Sequence, residues 1–284
     1  MLRESRRGYI HLILPILIFF TIIPCIVESV WSAKQFLYKQ FNILSDRVNV
    51  QANLFTYEGW DVKESPYDFE IAVTYGKKQF KISSIIIGVR NIYEAVSQIK
   101  ESTGWKDNYL FVPSECGGGN AWRCNTEHVF EIRQDQLVRI GETRSDDGKP
   151  GSSYKNGYFY DVYNRLEVNS LTSHVDSPII DIVMKEIGGR FIVDPERTWH
   201  ENLDKYKRNL EEIRRVKISR GKKQSSIEEF LIAPVLFNAA LAKYCRHQKE
   251  FEDAIQEAKS NFRGDKLQIF LDVLTKVVPG ELPK

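Results

Sequence analysis

The chain has no excess of charge of either sign. Its 40 Lys and Arg residues are balanced by 38 Asp and Glu residues, which leaves a formal net charge of +2. A domain whose main partner is nucleic acid usually carries a strongly basic surface. The sequence therefore predicts no nucleic-acid partner.

Patterns typical of metal and catalytic sites are also missing. None of the five histidines lies four residues from another, and no acidic loop has the ligand spacing of a calcium site. No serine lies in the G-x-S-x-G motif of many hydrolases. We therefore predict no catalytic residue, no metal site and no cofactor.

Long apolar runs are absent except near the amino terminus. Between Leu12 and Val27 no residue is charged, and three arginines precede this segment. Arginines in this position keep the amino end in the cytoplasm, so we predict that the rest of the chain is exported. The segment is long for a signal peptide and short for a membrane-spanning helix. Residues 1–33 are therefore either a cleaved signal peptide or a membrane anchor, in which case residues 9–27 contact the membrane.

Cysteine is scarce, with residues at positions 25, 116, 124 and 245. In an oxidising compartment, the spacing of Cys116 and Cys124 predicts a disulfide bond. Closing so short a loop contributes about 2–3 kcal/mol by restricting the unfolded chain. Cys245 has no predicted partner, and it is either a buried thiol or the site of an intermolecular disulfide bond.

The segment between the two paired cysteines is the most unusual in the chain. Three consecutive glycines allow positive φ angles and close approach of a ligand to the backbone, and their amides suit an anion. The residues after them add hydrogen bonding, aromatic stacking and positive charge. The segment is either a stapled turn or a binding loop for a sugar, peptide or carboxylate, formed by Gly117, Gly118, Gly119, Asn120, Trp122 and Arg123.

A catalytic interpretation of the same segment is the alternative. Cys116 would then be a thiolate nucleophile and His128 its base, with the glycine amides as donors to an oxyanion. An unrecognised hydrolase site would otherwise use acids on the strands, such as Asp161 and Glu167. A third alternative, a scaffold subunit of a membrane complex, requires that residues 9–27 are retained.

The central region, residues 51–194, is predicted to be an antiparallel β-rich domain with two short helices. Capping residues start these helices at Asn91 and at Ser177–Pro178. Residues 34–50 have a weak apolar face and are interpreted as a helical stalk beside the membrane, and the polar residues 144–157 as a loop. Period-two alternation and short apolar runs predict strands at residues 69–75, 79–82, 84–89, 109–112, 128–133, 137–141, 158–162, 165–168 and 191–193.

The pattern becomes helical in residues 195–284, so the predicted fold class is α+β. Thr198 and Glu201 have the spacing of a capping box, and Pro234 predicts a kink or a break in a later helix. Between residues 205 and 223 there are nine Lys or Arg residues against two Glu residues. This basic stretch is either a solvated helix face or a contact for an anionic partner.

One segment of the helical region resembles the middle of a tetratricopeptide repeat, through Leu241, Ala242, Phe251, Ala254 and Ile255. Asn238 and Cys245 replace the large aromatic residue and the tyrosine that are usual there. A solenoid needs at least three stacked repeats, and the sequence contains one such segment. We interpret the segment as an antiparallel helix pair, and the resemblance implies no function.

These patterns together predict an exported envelope protein, either anchored in a membrane or located in the periplasm or outside the cell. Its predicted role is a non-catalytic binding module that uses the glycine-rich loop to bind an envelope protein or a glycan. An exported hydrolase with a site near residues 116–128 is the alternative.

Overall fold

The computed structural model describes residues 35–44, 48–57, 67–86, 89, 91–116, 124–144, 149–163, 166, 178–218 and 224–280. Strands dominate as far as residue 193 and helices follow, which confirms the predicted α+β class. The amino-terminal segment, residues 1–33, lies outside the described residues. In the part of the chain that is described, no helix is long and apolar enough to span a membrane.

The first four strands pair in chain order as an antiparallel unit: β1 (Gln35–Leu44), β2 (Asn49–Tyr57), β3 (Tyr67–Tyr75) and β4 (Lys78–Ile86). Val50, Ala52 and Leu54 alternate along β2 and are fully buried. A short turn connects β3 to β4, and Gly76 adopts a φ of +57° there. Because β4 is continuous, the two strands predicted within it are one strand.

The helical stalk predicted at residues 34–50 is wrong, since this segment contains β1 and the start of β2. Phe41 and Ile43 lie two residues apart and pack against the buried core of the sheet. Their spacing fits a strand with one face inward better than it fits a helix. The sequence interpretation also missed β2, although its buried residues have strict period-two spacing.

After β4 the chain forms α1 (Ile92–Glu101), β5 (Gly104–Lys106), β6 (Tyr109–Cys116), β7 (Cys124–Arg133) and β8 (Gln136–Arg144). The Asn91 side chain caps α1 by accepting hydrogen bonds from the amides of Tyr93 and Glu94, as predicted. Strands β5–β8 form a second antiparallel unit. A single parallel residue pair, Ile86 with Cys116, joins it to β4.

A separate four-stranded antiparallel sheet contains β9 (Tyr154–Lys155), β10 (Tyr158–Tyr163), β11 (Ile180–Glu186) and β12 (Phe191–Val193), in the order β12-β11-β10-β9. The helix predicted from Ser177–Pro178 is therefore wrong. Ile180, Ile182 and Met184 alternate into the core, and β11 pairs with strands on both sides. The predicted loop at 144–157 is too long, because Arg144 belongs to β8 and residues 154–155 form β9.

Four helices complete the described fold: α2 (Pro195–Ile218), α3 (Gln224–Tyr244), α4 (Gln248–Asn261) and α5 (Gly264–Thr275). The side chain of Asp194 caps α2 by accepting a hydrogen bond from the amide of Arg197 at 3.0 Å. The predicted capping box at Thr198 is wrong, since Thr198 lies inside the helix. Helix α3 passes through Pro234 without a break.

Two hydrophobic cores meet at β6. Leu110 and Val112 enter a core formed mainly by the first four strands and α1, whereas Phe111 enters a core shared with the second sheet and the helices. β7 and β8 likewise contribute to both cores, so the two cores lie on opposite faces of β6, β7 and β8. Helices α3 and α4 pack against each other as the predicted pair, and Cys245 after α3 is a buried thiol whose pKa is raised to about 12 by burial.

Candidate functional site

The predicted binding loop, Gly117–Arg123, lies outside the described residues. Its two ends are described: Cys116 and Cys124 are directly opposite each other in the pairing of β6 with β7. Opposite residues in an antiparallel pair have Cα atoms about 4.5–5.5 Å apart, which is within the range of disulfide bonds. The side chains of both cysteines lie outside the described part of the chain, so the disulfide bond stays a prediction.

The register does not bring Cys116 and His128 together. His128 lies opposite Val112, which is four residues from Cys116 along β6, or about 13 Å. The imidazole of His128 is buried, and its Nδ1 lies 3.0 Å from Oε1 of Glu142 without the alignment of a hydrogen bond. The nearby imidazole and the guanidinium of Arg139 lower the pKa of Glu142.

A polar groove of about 490 Å³ lies where the ends of β8, β9, β10 and β11 meet the start of α2. Cationic side chains come from β5, β8 and β9, and we call them the basic wall: Lys106, Arg144 and Lys155. Carboxylates come from β10, β11 and α2, and we call them the acidic wall: Asp161, Asp181 and Glu201. Ser152, Ser153 and Tyr160 add hydroxyl groups to the lining.

Asp161 is the most buried charged residue of the groove, with 8% of its surface exposed. Burial raises the pKa of its carboxyl group to about 6, although a hydrogen bond from the Val162 amide and the charge of Arg144 act in the opposite direction. The amide of Val162 donates to Oδ1 at 2.7 Å, and Nε of Arg144 lies 3.9 Å from the same atom. The two walls therefore meet at Asp161 and Arg144.

The groove exists because β9 is short. A two-residue turn with positive φ at Asn156 and Gly157 connects β9 to β10, and the strands pair only at Tyr158 and Phe159. The amide of Tyr160 still donates to the carbonyl oxygen of Ser153 at 2.7 Å. Beyond Ser153 the chain leaves β10.

A buried carboxylate draws the chain away from β10 at this point. Oε1 of Glu127 on β7 accepts a hydrogen bond from the amide of Gly151 at 3.2 Å, and Oε2 accepts one from the Ser153 hydroxyl at 3.3 Å. Nζ of Lys106 donates to the Gly151 carbonyl oxygen at 2.6 Å. The Gly151 carbonyl oxygen also accepts from the amide of Tyr154 at 3.0 Å, so both backbone groups of Gly151 have partners and neither bonds to β10.

Only glycine fits at position 151. Gly151 has a φ of +67°, and an added Cβ atom would lie 2.8 Å from Cδ of Lys106 and 2.8 Å from the ring of Phe111. A side chain there would displace the turn from β7. The turn at 149–153, which brings Ser152 and Ser153 to the groove, thus depends on this glycine.

The other edge of the second sheet is closed by α2. The hydroxyl of Thr198 accepts a hydrogen bond from the amide of Val183 at 3.0 Å. The Asn202 side chain accepts from the Asp181 amide at 3.1 Å and donates to the Asp181 carbonyl oxygen at 2.8 Å. Thr198 and Asn202 are almost fully buried, so two helix side chains occupy the place of a neighbouring strand.

The groove lies at the end of the first sheet that carries Cys116 and Cys124, the residues that flank the glycine-rich loop in the chain. Arg144 of the basic wall is opposite Thr126 on β7, and Cys124, where the loop ends, is two residues further along this strand. The sequence interpretation named Asp161 as a candidate acid, but it missed Arg144, Glu127 and Asn202. Glu167, its other candidate acid, lies outside the described residues.

The groove is not an evident metal site. Among the residues that the structure describes, no three His, Cys, Asp or Glu side chains are grouped so that they could hold a metal ion.

Comparison with protein-family models, with curated proteins and with solved structures finds no match to this chain.

Proposed function

We propose that the chain is an exported, non-catalytic binding protein that holds a polar ligand in the groove, with the glycine-rich loop adding contacts at its rim. The observation that carries this proposal is the pairing of a basic wall with an acidic wall in one groove. Ligand sites usually combine a concave surface with a few convergent polar groups that fix orientation.

Two further observations support binding over thiol catalysis. Cys116 and His128 lie four residues apart in the strand register, so the base proposed for the thiolate is not next to it. The root of the loop is close to Arg144 in the register of β7 and β8, so one ligand can reach both regions. Because we propose that the chain is exported, envelope glycans and envelope proteins are the ligand classes that we favour.

Double alanine variants test the proposal. We expect Arg144→Ala with Lys155→Ala, and separately Trp122→Ala with Arg123→Ala, to weaken binding to an envelope glycan or protein fraction at least tenfold, because each pair removes polar or stacking contacts. Biolayer interferometry on the purified chain measures the affinity, and circular dichroism checks folding.

The control is Lys78→Ala with Lys81→Ala. Lys78 lies eight residues from Ile86 along β4, so it is about 26 Å from the loop end of the sheet. This variant should bind like the wild type. If both test variants also bind like the wild type, the groove and loop are not the binding site.

A glycan hydrolase is the second candidate, and the carboxyl group of Asp161 is the observation that favours it. A carboxyl group with a pKa of about 6 suits a general acid, and glycoside hydrolysis uses two carboxyl groups. The test is release of reducing ends from envelope glycans by the wild type and by Asp161→Asn. If the wild type releases none, the hydrolase is excluded, whereas release that is lost in the variant would replace the binding proposal.

A further inference from the structure

We propose that the occupant of the groove is a short extended peptide, which adds to β10 as a neighbouring strand at Val162. This inference rests on the binding function proposed above and names its ligand class. Three observations support it. These are the direction in which the backbone groups of β10 point, the carboxylate that now bonds to one of them, and the charges that line the groove.

The hydrogen bonds of β10 fix which way its backbone groups point. The amide of Tyr160 donates to Ser153, away from β11. In an antiparallel strand the backbone groups of alternate residues point to the same side. The amide and the carbonyl group of Val162 therefore also point away from β11, towards the groove that Val162 lines.

The strand that would continue beside Val162 is displaced. Continuing the register of Tyr160 with Ser153 would place Gly151 opposite Val162. The Gly151 amide instead donates to Glu127, and its carbonyl oxygen accepts from Lys106 and from the amide of Tyr154. In the described part of the chain, no strand pairs with β10 on this side beyond Phe159. Because the amide of Tyr160 already bonds to Ser153, the edge open to an added strand begins after Tyr160. We call the stretch from Asp161 to Tyr163 the open edge.

The carboxylate of Asp161 now occupies the position of a peptide carbonyl group. Its Oδ1 accepts the Val162 amide at 2.7 Å, although the two residues are neighbours in sequence. A peptide carbonyl oxygen can replace it in this hydrogen bond. The released carboxylate then accepts from Arg144, whose Nε is 3.9 Å away, so no charged group loses its partner.

The charges of the groove match a peptide with side chains of both signs. Lys155 lies on β9, on the line that an added strand would continue, and Glu201 lies on α2 on the opposite wall. An extended peptide directs alternate side chains to opposite sides, so it can place an acidic residue towards Lys155 and a basic residue towards Glu201. A neutral glycan would offer no charged group to Lys155 or to Glu201.

The probe for the first experiment is a random hexapeptide library displayed on phage, selected against the full chain. Selected peptides are then synthesised with one backbone N-methyl group at each position in turn. A peptide that adds as a strand uses alternate amides, so methylation at alternate positions should weaken binding at least tenfold and methylation between them less than threefold. Equal tolerance at every position would overturn the proposal, because side chains alone would then carry the binding.

A matched pair of variants tests the protein side. Val162→Pro removes the amide that faces the groove, and proline is accepted at strand edges where the amide faces outward. Val162→Ala shortens the side chain and keeps the amide. We expect at least a tenfold loss of peptide affinity in the proline variant and less than a threefold loss in the alanine variant, by isothermal titration calorimetry. Equal losses would contradict the proposal, and if the proline variant does not fold, the N-methyl series decides.

The outcome also separates this inference from the binding function itself. If the library yields no peptide, while a glycan fraction binds and the Arg144→Ala and Lys155→Ala variant weakens it, the binding function stands and the peptide is wrong. If replacing Arg144 and Lys155 weakens neither peptide binding nor glycan binding, the groove is not the binding site and the peptide proposal is wrong as well.

Discussion

The two sides of the second sheet differ in the groups that hydrogen-bond to their unpaired backbone. On the β11 edge, which we call the closed edge, Thr198 and Asn202 from α2 hydrogen-bond to the backbone of Val183 and Asp181. On the open edge, the carboxylate of Asp161 bonds to the amide of the next residue in the chain. The first arrangement joins two elements of the fold, whereas the second is local.

The hydrogen bonds of the closed edge hold parts of the fold together, whereas the hydrogen bond of the open edge can be exchanged for one to a ligand. The side chains of the closed edge are neutral and almost fully buried, so breaking their bonds strands polar groups in the interior. The carboxyl group of the open edge lies in a groove, and burial raises its pKa to about 6. We therefore expect mutations at the closed edge to reduce stability, and mutations at the open edge to change binding and pH dependence.

Asn202→Ala should have the largest effect on stability. It removes both hydrogen bonds to Asp181 and a third to the carbonyl oxygen of Thr198 at 2.7 Å. Each lost hydrogen bond of this buried side chain costs about 1 kcal/mol or somewhat more, and three are lost, so we expect a loss of about 3–4 kcal/mol. Urea denaturation followed by circular dichroism measures the free energy of unfolding.

Asn209→Ala is the matched control on the same helix. The side chain of Asn209 makes one hydrogen bond, to the side chain of Asn238 at 3.2 Å, and is only half-buried. Its loss leaves the buried side-chain oxygen of Asn238 without this donor and should cost about 1–2 kcal/mol, less than the three bonds of Asn202. Equal losses in the two variants would mean that α2 does not close the β11 edge.

Asp161→Asn should change the pH dependence of stability at the open edge. The pKa of Asp161 is about 6 in the folded state against 3.8 as its ordinary value, so the folded state holds this proton more tightly. The stability from this group is present below pH 4 and is lost as the pH rises through 6. The shift of about two units corresponds to about 3 kcal/mol, which the asparagine variant should not lose between pH 4 and pH 7.

Asp253→Asn is the control, because Asp253 is exposed on α4, away from the groove lining. Its free energy of unfolding should follow the pH dependence of the wild type. If the Asp161 variant also follows the wild type, the carboxyl group of Asp161 is not held in a buried site, and the contrast between the edges is weaker than we infer.

Local signals predicted several elements of the fold but not the choice between helix and strand where long-range pairing decides it. The cap at Asn91 and the heptad-like spacing from Trp199 to Ile213 depend on neighbours in sequence, and both helices are present. The segment after Ser177–Pro178 has the residues of a helix start. It forms β11 because β10 and β12 pair with it on either side, which no local pattern reveals.

The groove was less predictable than the fold, because its charged residues come from six separate elements. Asp161 stood out only as an acid on a strand, and its partner Arg144 lay at the border of a predicted loop. Glu127 directly precedes the strand predicted at 128–133, and its role depends on contact with Gly151, which is 24 residues away. Thr198 was paired with Glu201 in a capping box instead, although Thr198 and Asn202 are one helical turn apart and this spacing could have marked them as a pair.

Thr198→Val should have the smallest of the three effects and is the most specific test of the closed edge. Valine has nearly the same shape as threonine, so the variant removes the acceptor for the Val183 amide without opening a cavity. One stranded amide should cost about 1–2 kcal/mol, measured by urea denaturation at pH 7. Thr198→Ser keeps the hydroxyl and should lose less stability than the valine variant if the hydrogen bond matters more than the methyl group. A serine variant that is the less stable of the two would show that α2 is held by packing, and that its hydrogen bonds to the sheet edge are secondary.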